Sequence, residues 1–292
     1  MHILVTGCSS FLGRNIVRLL ITKGVRVTGT YRRYSRVLED LNNKDFNAER
    51  VDLSTPHEFR KLPRKLDGII HIAGVSIGPD VSRDNLIACN VHGASNLLDY
   101  AIQTDVGRLV YASTLSVHGC IKEAVVDDAT PIRNPDIYGA SKLLAERMFA
   151  NNATKIYGAS VRLPGVLGPG AHRAWLPTVL RKMKAGNKIS LYGLENRFNN
   201  AVYVDDIADL FLNILVSERC DFPAFPVGAA DPMAVKDIIK KMSELTKSKS
   251  QITWEKEKKQ SFTISSDFAK NNYGYSPKST EEMIESYCER PD

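Results

Sequence analysis

The chain has 292 residues, of which 43% are apolar and 25% charged, and its formal net charge is +6. This length allows one large domain or two modest ones with a real core, and no apolar run approaches the roughly 18 to 20 residues of a membrane span. The positive charge suits anionic small molecules, but it comes without the basic and aromatic pattern of a nucleic-acid module. We therefore expect neither nucleic acid nor a membrane as a partner.

The cysteines indicate the compartment. There are five of them, widely spread along the chain, and no two have the spacing of metal ligands. We therefore expect no metal site and a reducing, cytoplasmic location. Residues 2–6 already have strand character, so no signal peptide is expected before the fold.

Strand and helix patterns alternate through the first half of the chain. Strand character is found at residues 3–5, 25–31, 69–72, 109–113 and 160–163, and helical periodicity at 12–20 and 86–102. Residues 55–58 have the pattern of a capping box with a proline at the first helical position. This alternation predicts an α/β fold, a doubly wound parallel sheet of the Rossmann type, with ligands bound at the carboxyl ends of the strands.

After residue 163 the pattern changes. Proline and glycine cluster at 164–170, and shorter elements follow. We predict helices near 176–183, 235–245 and 283–287, a strand at 201–204, and a helix that begins at Asp205 or Asp206. We interpret this part as a smaller, discontinuous lobe. The predicted domains are 1–163 with about 198–218 for the Rossmann domain, and about 164–197 with 219–292 for the lobe.

The turn between the first strand and the first helix has the features of a phosphate-binding loop. Gly7 would allow the tight turn, Gly13 would let helix and strand pack closely, and the helix N-terminus offers N–H groups to a pyrophosphate. Ser10 stands where the usual dinucleotide pattern has its middle glycine. The predicted cofactor residues here are Gly7, Ser9, Ser10, Phe11, Leu12 and Gly13. The alternative is a plain strand–turn–helix corner.

The end of the second strand indicates which dinucleotide is preferred. A carboxylate there would bind the ribose 2′-hydroxyl of NAD, but this chain has Tyr31, Arg32 and Arg33. Two guanidinium groups favour a phosphomonoester, so we expect NADP(H), with NAD(H) possible. The alternative is a basic surface loop. Asp52 and Leu53 suit contact with the adenine ring, or a role beside a helix cap.

Tyr138 and Lys142 are separated by one helical turn, so that the phenol and the ammonium lie on the same face. A lysine beside a tyrosine favours the phenolate and lowers the phenol pKa. This would make Tyr138 a proton donor and acceptor near neutral pH. Two exposed residues on a solvated helix would have the same spacing.

At this point the chain resembles the extended short-chain dehydrogenase/reductase family, the NAD-dependent epimerases and dehydratases that modify nucleotide-sugars. The resemblance covers nearly the whole chain, in the family's order. The matching segments are 6–13, 52–53, 71–74, 90–93, 113–119, 138–142, 162–169 and 202–206.

The resemblance implies roles for individual residues. The catalytic residues would be Thr114, Tyr138 and Lys142. Thr114 would bind the substrate oxygen and Tyr138 would be the acid/base. Lys142 would bind the nicotinamide ribose and lower the tyrosine pKa. Further cofactor contacts implied are Ala73, Gly74, Asn90, Pro164 and Val166. Substrate contacts implied are Ser76, Thr114, Ser116, His118, Arg173 and Arg197. His118 replaces the family's usual tyrosine, and a lone histidine is more often structural.

Departures from the family pattern narrow the reaction. Family dehydratases carry Asp-Glu after the catalytic threonine and decarboxylases carry a glutamate at the position of Ser116, whereas this chain has Leu115 and Ser116. An NAD(P)-dependent 4-reductase or 4-epimerase of a UDP-, dTDP- or GDP-linked sugar remains. Asn199 and Asn200 could contact sugar hydroxyls or a base edge. The alternatives are a reductase of a non-sugar carbonyl and a non-catalytic NADP(H)-binding sensor.

The resemblance also implies a homodimer. Family members often associate through the helix after Asp84 and the helix that carries Tyr138.

Overall fold

The structure is a computed structural model that describes residues 1–41, 43–78, 81–172, 174–256 and 261–290. The chain divides into two compact units. The first consists of Met1–Cys120, Pro131–Arg162 and Ala208–Phe225, and the second of Ile121–Thr130, Leu163–Ile207 and Pro226–Asp292. Among the described residues, no helix is long and apolar enough to cross a lipid bilayer.

The secondary structure is as follows. The strands, in chain order, are β1 (His2–Thr6), β2 (Arg26–Tyr31), β3 (Phe46–Arg50), β4 (Gly68–His71), β5 (Arg108–Thr114), β6 (Val125–Val126), β7 (Tyr157–Leu163), β8 (Gly165–Leu167), β9 (Ile189–Tyr192), β10 (Arg197–Phe198), β11 (Ala201–Tyr203), β12 (Ala224–Pro226), β13 (Met233–Ala234), β14 (Ile252–Glu255) and β15 (Thr263–Ile264). The helices are α1 (Phe11–Thr22), α2 (Arg83–Ile87), α3 (Gly93–Gln103), α4 (Ile137–Ala150), α5 (Trp175–Lys184), α6 (Val204–Val216), α7 (Val235–Thr246), α8 (Asp267–Tyr273) and α9 (Thr280–Glu289).

One sheet of the described chain contains seven strands in the order β12–β7–β5–β4–β1–β2–β3. The neighbours from β5 to β3 pair in parallel. Thr6 lies opposite both Thr30 and His71, so the carboxyl ends of β1, β2 and β4 meet at one edge. The doubly wound parallel sheet predicted from the sequence is confirmed, and this edge is where ligands bind in such folds.

The apolar runs of the central strands explain why the sheet is covered on both faces. Ile3, Leu4, Ile69 and Ile70 are fully buried, as expected for parallel strands covered on both faces. Helix α1 contributes Ile16 from the apolar stripe that the sequence predicted.

The second unit is built from small pieces of sheet around a core of its own. Two-stranded pairs form between β8 and β11, β9 and β14, β10 and β13, and β6 and β15. Side chains of α5, α7 and α9 fill the core between them. The predicted helices near 176–183, 235–245 and 283–287 agree with these three helices within a few residues, whereas α8 was not predicted.

Two local predictions change in the structure. Within the described residues, the Thr55 side chain caps no backbone N–H, and a short 3₁₀ helix (Pro56–Lys61) follows. The capping-box prediction is wrong because the Glu58 carboxylate accepts the backbone N–H of Asp52 at 2.8 Å instead. The predicted helix at 86–102 is divided into α2 and α3 by a π-helical turn, Ala88–His92.

Candidate functional site

The loop between β1 and α1 has the steric features expected of it. Gly7 has a φ of +73°, a left-handed conformation that favours glycine, and a Cβ on it would lie 3.0 Å from the backbone of Ala73. A Cβ on Gly13 would lie 2.1 Å from the carbonyl oxygen of Gly7. Ser10 caps α1, since its Oγ accepts the N–H of Gly13 at 3.0 Å. The helix N-terminus is therefore held closely against the turn.

A cavity of about 250 Å³ opens at the carboxyl ends of β1, β2 and β4. Most of the cofactor residues predicted from the sequence line it together. They are Gly7, Ser9, Ser10, Tyr31, Arg32, Arg33, Asp52, Leu53, Ala73 and Gly74. Phe11, Leu12 and Gly13 form the adjoining first turn of α1. Sequence reasoning missed Ser54, Val75 and Cys89, which also line the cavity.

Arg32 is held at the rim of this cavity by residues far away in the sequence. Its Nη1 donates to Asn85 Oδ1 at 3.1 Å and to Cys89 Sγ at 2.8 Å. The Cys89 thiol donates in turn to Asn85 Oδ1 at 3.3 Å. Burial raises the pKa of this thiol although the Arg32 charge lowers it, so Cys89 stays protonated near neutral pH. Arg33, in contrast, is exposed.

Asp52 is fixed by its own loop. Its Oδ1 accepts the backbone N–H of Ser54 at 3.0 Å and the Ser54 hydroxyl at 2.7 Å. The carboxylate therefore has a fixed orientation at the cavity wall, beside Leu53.

Asn90 joins the cavity wall to α4. It lies in the π-helical turn, only 1% exposed. Its amide accepts the N–H of Val75 at 2.8 Å and donates to the Val75 carbonyl at 2.9 Å. It also donates to Ser141 Oγ at 3.0 Å, and that hydroxyl donates to the Tyr138 carbonyl at 2.7 Å. The loop after β4 and the first turn of α4 are thus tied together by one side chain.

Lys142 is buried beside this network, with 4% of its surface exposed. Its Nζ lies 4.1 Å from the centre of the Tyr111 ring and 3.9 Å from the position of a Cβ on Gly74. Burial lowers the pKa of Lys142 to about 7, against the opposing charge of Glu146. Tyr138, half-buried, lies one turn earlier on α4, whose N-terminus is capped by Asp136 through the N–H of Gly139 at 2.8 Å.

Thr114 ends β5 and is half-buried. Its Oγ1 accepts the N–H of Ser116 at 3.2 Å and lies 3.3 Å from Ser116 Oγ. The neighbouring Ser113 is buried and donates to Glu146 on α4 at 2.5 Å. The two hydroxyl residues predicted as substrate contacts here, Thr114 and Ser116, therefore lie side by side at the end of β5.

His118 has no exposed surface, and its Nε2 lies 3.4 Å from Arg162 Nη1. The structure favours the structural interpretation of His118 over contact with a substrate. Arg162 is held by Glu146, at 3.1 Å and 2.9 Å.

Those remaining predicted contacts that the structure describes do not line the cavity. Ser76 is half-buried in the loop after β4. Pro164 and Val166 lie at β8 and the exposed Arg197 on β10, all in the second unit, and Arg173 lies outside the described residues. Roles for these residues stay predictions. In the described residues, no group of three or more His, Cys, Asp or Glu side chains could hold a metal ion.

The proposed contact of Asn199 with a sugar or base is wrong. Its amide donates to the carbonyls of Ala229 and Ile264, at 2.9 and 2.8 Å, and accepts the N–H of Ile264 at 2.8 Å. The side chain is 2% exposed and joins segments of the second unit.

Comparison with known proteins adds to this geometry. The model of the NAD dependent epimerase/dehydratase family matches residues 3–223. A 2-alkyl-3-oxoalkanoate reductase from Shewanella oneidensis is 31% identical over 257 residues, covering 82% of this chain and 64% of that protein. A dTDP-glucose 4,6-dehydratase from Streptomyces griseus is 27% identical over 223 residues, covering 70% and 66%. The chain spans about two thirds or less of the length of these two relatives.

Solved structures show the same fold. The UDP-glucuronic acid 4-epimerase from Bacillus cereus, in complex with NAD, matches with a TM-score of 0.84 at 19% identity, covering 99% of this chain and 98% of that one. At this identity the likeness establishes the fold of the chain.

Proposed function

Because the chain belongs to the NAD-dependent epimerase/dehydratase family, we propose that it is an oxidoreductase or epimerase acting on a nucleotide-activated sugar, at C4. Tyr138 would be the acid/base, with Lys142 and Thr114 beside it. The NAD(P)-binding surface would be the cavity at the edge of the sheet, and the second unit would be the substrate lobe.

The position of Gly74 carries this proposal. Gly74 lines the cavity, and a Cβ there would lie 3.0 Å from Asn90 Oδ1 and 3.9 Å from Lys142 Nζ. One residue without a side chain therefore lies between the cavity and the amine proposed to act with Tyr138. A dinucleotide fits the residues present, because Gly7 and Gly13 leave no room for side chains at the turn where its phosphates would contact backbone N–H groups.

The chemistry follows from three side chains. A bound nicotinamide would supply or take up a hydride. Tyr138 would donate a proton to the substrate oxygen or accept one from it, and the Lys142 ammonium would stabilise the phenolate. The Thr114 hydroxyl would donate a hydrogen bond to the same oxygen as charge develops there.

The nucleotide-sugar is supported by the names of several similar proteins, among them the dTDP-glucose 4,6-dehydratase. The absence of an acidic residue at Leu115 and Ser116 disfavours dehydration and decarboxylation of that sugar. A second candidate substrate is a non-sugar 3-oxo acid. The 31% identity with the 2-alkyl-3-oxoalkanoate reductase favours it.

NADP(H) is the preferred dinucleotide in this proposal, because Arg32 and Arg33 line the cavity where a 2′-phosphate would lie. A cytoplasmic location is supported by the five free cysteines. A homodimer is supported by the exposed apolar side chains of Ile87 on α2 and of Ile137 and Leu144 on α4.

Turnover with defined substrates tests the proposal. UDP-, dTDP- and GDP-linked 4-keto sugars and a 3-oxo acid are each supplied with NADPH, and both NADPH loss and product are measured. A reductase consumes NADPH, whereas an epimerase interconverts the 4-hydroxy sugars without net consumption. If only the 3-oxo acid gives product, the substrate is the non-sugar 3-oxo acid and not a nucleotide-sugar.

The acid/base is tested by Tyr138→Phe. We expect a loss of about 10²- to 10⁴-fold in turnover with cofactor binding retained. Tyr192→Phe, at an exposed tyrosine of the second unit, is the matched control. Undiminished turnover in Tyr138→Phe would contradict the proposed role.

A further inference from the structure

A buried ion pair joins α4, the helix that carries Tyr138, to β7. Glu146 on α4 and Arg162 on β7 are 3% and 5% exposed. The guanidinium donates through Nε at 3.1 Å and Nη2 at 2.9 Å, one bond to each carboxylate oxygen. Two charges buried at this depth lose their hydration, so such a pair stabilises a fold little compared with apolar residues of the same size. Its position in the fold points to another role.

Glu146 lies beside two parts of the candidate site. It follows Lys142 by one turn of α4, so the carboxylate and the ammonium lie on the same face of the helix. It also accepts the Ser113 hydroxyl at 2.5 Å, and Ser113 immediately precedes Thr114 on β5. One carboxylate therefore connects the end of β5 to α4, and these two elements carry the three proposed catalytic residues.

The other groups that face Lys142 are two tyrosines and a histidine. Tyr111 on β5 presents its ring to the ammonium, and Tyr138 lies one turn before it on α4. His71 on β4 is uncharged above acidic pH, because burial and the Lys142 charge lower the pKa of its imidazole to about 3. The negative charge that acts on Lys142, within the described chain, is that of Glu146. Arg162 lies beyond this carboxylate and carries the opposite charge.

We propose that Glu146, held by Arg162 and Ser113, is a positioning residue that keeps the buried Lys142 amine charged for its action beside Tyr138. The catalytic meaning of this inference rests on the proposed function. Its electrostatic part concerns the chain alone. Arg162 fixes the carboxylate and at the same time weakens its pull on the lysine, so the two members of the pair act on Lys142 in opposite directions.

Substitution of Glu146 and substitution of Arg162 should shift the pKa of Lys142 in opposite directions, which a purely structural role of the pair would not produce. In Glu146→Gln the attractive charge is lost and a buried guanidinium remains, so the pKa of Lys142 should fall by about one unit or more. In Arg162→Gln the carboxylate has only the lysine as its ionic partner, so the pKa of Lys142 should rise. In the double variant both charges are absent, and the pKa should lie between those of Glu146→Gln and the unmodified protein.

The measurement is a nuclear magnetic resonance titration of the Lys142 side chain in cofactor-free protein. The ε-carbon signal of Lys142 is identified by its absence in Lys142→Arg. The basic limb of the pH–turnover profile is a second measurement, and it should move in the same direction as the titration for each variant. Glu146→Asp keeps the charge and should restore most of the Lys142 pKa.

The double variant keeps the test valid if Glu146→Gln does not fold, since it leaves no buried guanidinium without its carboxylate partner. An unchanged Lys142 pKa in either variant, or shifts of the same sign in Glu146→Gln and Arg162→Gln, would overturn the proposal. Failure of the proposed function is a separate result: it would appear as full turnover in Tyr138→Phe, while the titration of Lys142 still decides the electrostatic role of Glu146.

Discussion

Asn90 in the first unit and Asn199 in the second are alike in burial and in the number of their hydrogen bonds. They are 1% and 2% exposed, and each side chain makes one accepted and two donated hydrogen bonds. The partners differ. Asn199 bonds only to backbone, at Ala229 and Ile264, whereas one bond of Asn90 goes to Ser141, whose hydroxyl holds the carbonyl of Tyr138.

The location of a buried polar side chain decides whether it serves a binding site. Both amides satisfy backbone groups that would otherwise be unpaired, and this explains their burial. Only Asn90 does so at the wall of a cavity, where Val75 is both its partner and a lining residue. Position in the fold, rather than the chemistry of the side chain, separates a residue that serves the candidate site from one that serves the fold.

The largest expected effect comes from removing both amides in turn. Asn90→Ala and Asn199→Ala should each lower the free energy of unfolding by about 2 to 4 kcal/mol, because each leaves buried backbone groups without partners. Only Asn90→Ala should also weaken NADPH binding, by about tenfold or about 1.4 kcal/mol. Denaturant unfolding and calorimetric titration measure the two quantities. Equal losses of NADPH affinity in the two variants would erase the distinction.

Gly74 lies against Asn90 and Gly228 lies against Asn199, so a methyl group added at either glycine disturbs the neighbouring asparagine by steric contact. A Cβ on Gly228 would lie 2.8 Å from the Asn199 carbonyl oxygen, so Gly228→Ala requires the backbone to move and should cost about 1 to 3 kcal/mol of stability. A Cβ on Gly74 would meet Asn90 Oδ1 at 3.0 Å, a side-chain atom that can shift.

Gly74→Ala should therefore cost less stability than Gly228→Ala but more NADPH affinity. Gly107→Ala, at a position with nothing within 4 Å of the new Cβ, is the control for both. Thermal unfolding and cofactor titration of the three variants give the comparison. A larger loss of affinity in Gly228→Ala than in Gly74→Ala would contradict it.

Much of the fold could be predicted because the information is local. The run at 69–72, with its three isoleucines, and the glycines at 7 and 13 each determine a strand or a turn by sterics and burial alone, and the structure agrees. The prediction of a capping box at Thr55 is wrong because the Glu58 carboxylate accepts the N–H of Asp52, in the preceding loop, instead of the N–H of Thr55.

The site was less predictable because its decisive contacts join residues far apart in sequence. The spacing of Tyr138 and Lys142 is visible in the chain, but the burial that lowers the Lys142 pKa to about 7 is not. The bond between Asn90 and Ser141 spans 51 residues. The resemblance to a family indicated Asn90 as a cofactor-side residue, and nothing local indicated that Asn199 is structural.

The charge beside Asn90 predicts a pH dependence of stability. The pKa of Lys142 is about 7 in the folded protein and about 10.4 in an unfolded chain. Between these values the unfolded state binds more protons, so the free energy of unfolding should rise with pH, by up to about 1.4 kcal/mol per pH unit. Below pH 7 this group should add no slope.

Urea unfolding between pH 6 and about 9 measures this rise, and Lys142→Met should lack it. Lys278→Met removes a lysine of the second unit that pairs with Asp206 at 3.0 Å, and it should keep the rise. Parallel pH curves for the unmodified protein and Lys142→Met would show that the buried amine does not titrate as described.

A third asparagine, Asn85, should have a smaller effect than Asn90 or Asn199, and one confined to the cofactor. Asn85 is half-buried and holds Arg32 at the rim of the cavity, so its action on a 2′-phosphate would pass through that guanidinium. Asn85→Ala should weaken NADPH by about threefold, well under 1 kcal/mol, leave NADH unchanged and alter stability little. Asn47→Ala, at an exposed asparagine on β3, should change neither affinity.

The double variant with Arg32→Ala decides whether Asn85 acts through the arginine. If it does, Arg32→Ala alone should weaken NADPH binding more than Asn85→Ala does. Adding Asn85→Ala to Arg32→Ala should then have no further effect on NADPH affinity, because both substitutions remove the same contact between Arg32 and the 2′-phosphate. Additive losses would mean that Asn85 contacts the dinucleotide by itself. Equal losses for NADPH and NADH in Arg32→Ala would mean that Arg32 does not contact a 2′-phosphate. Asn85, like Asn199, would then be a residue that serves only the fold.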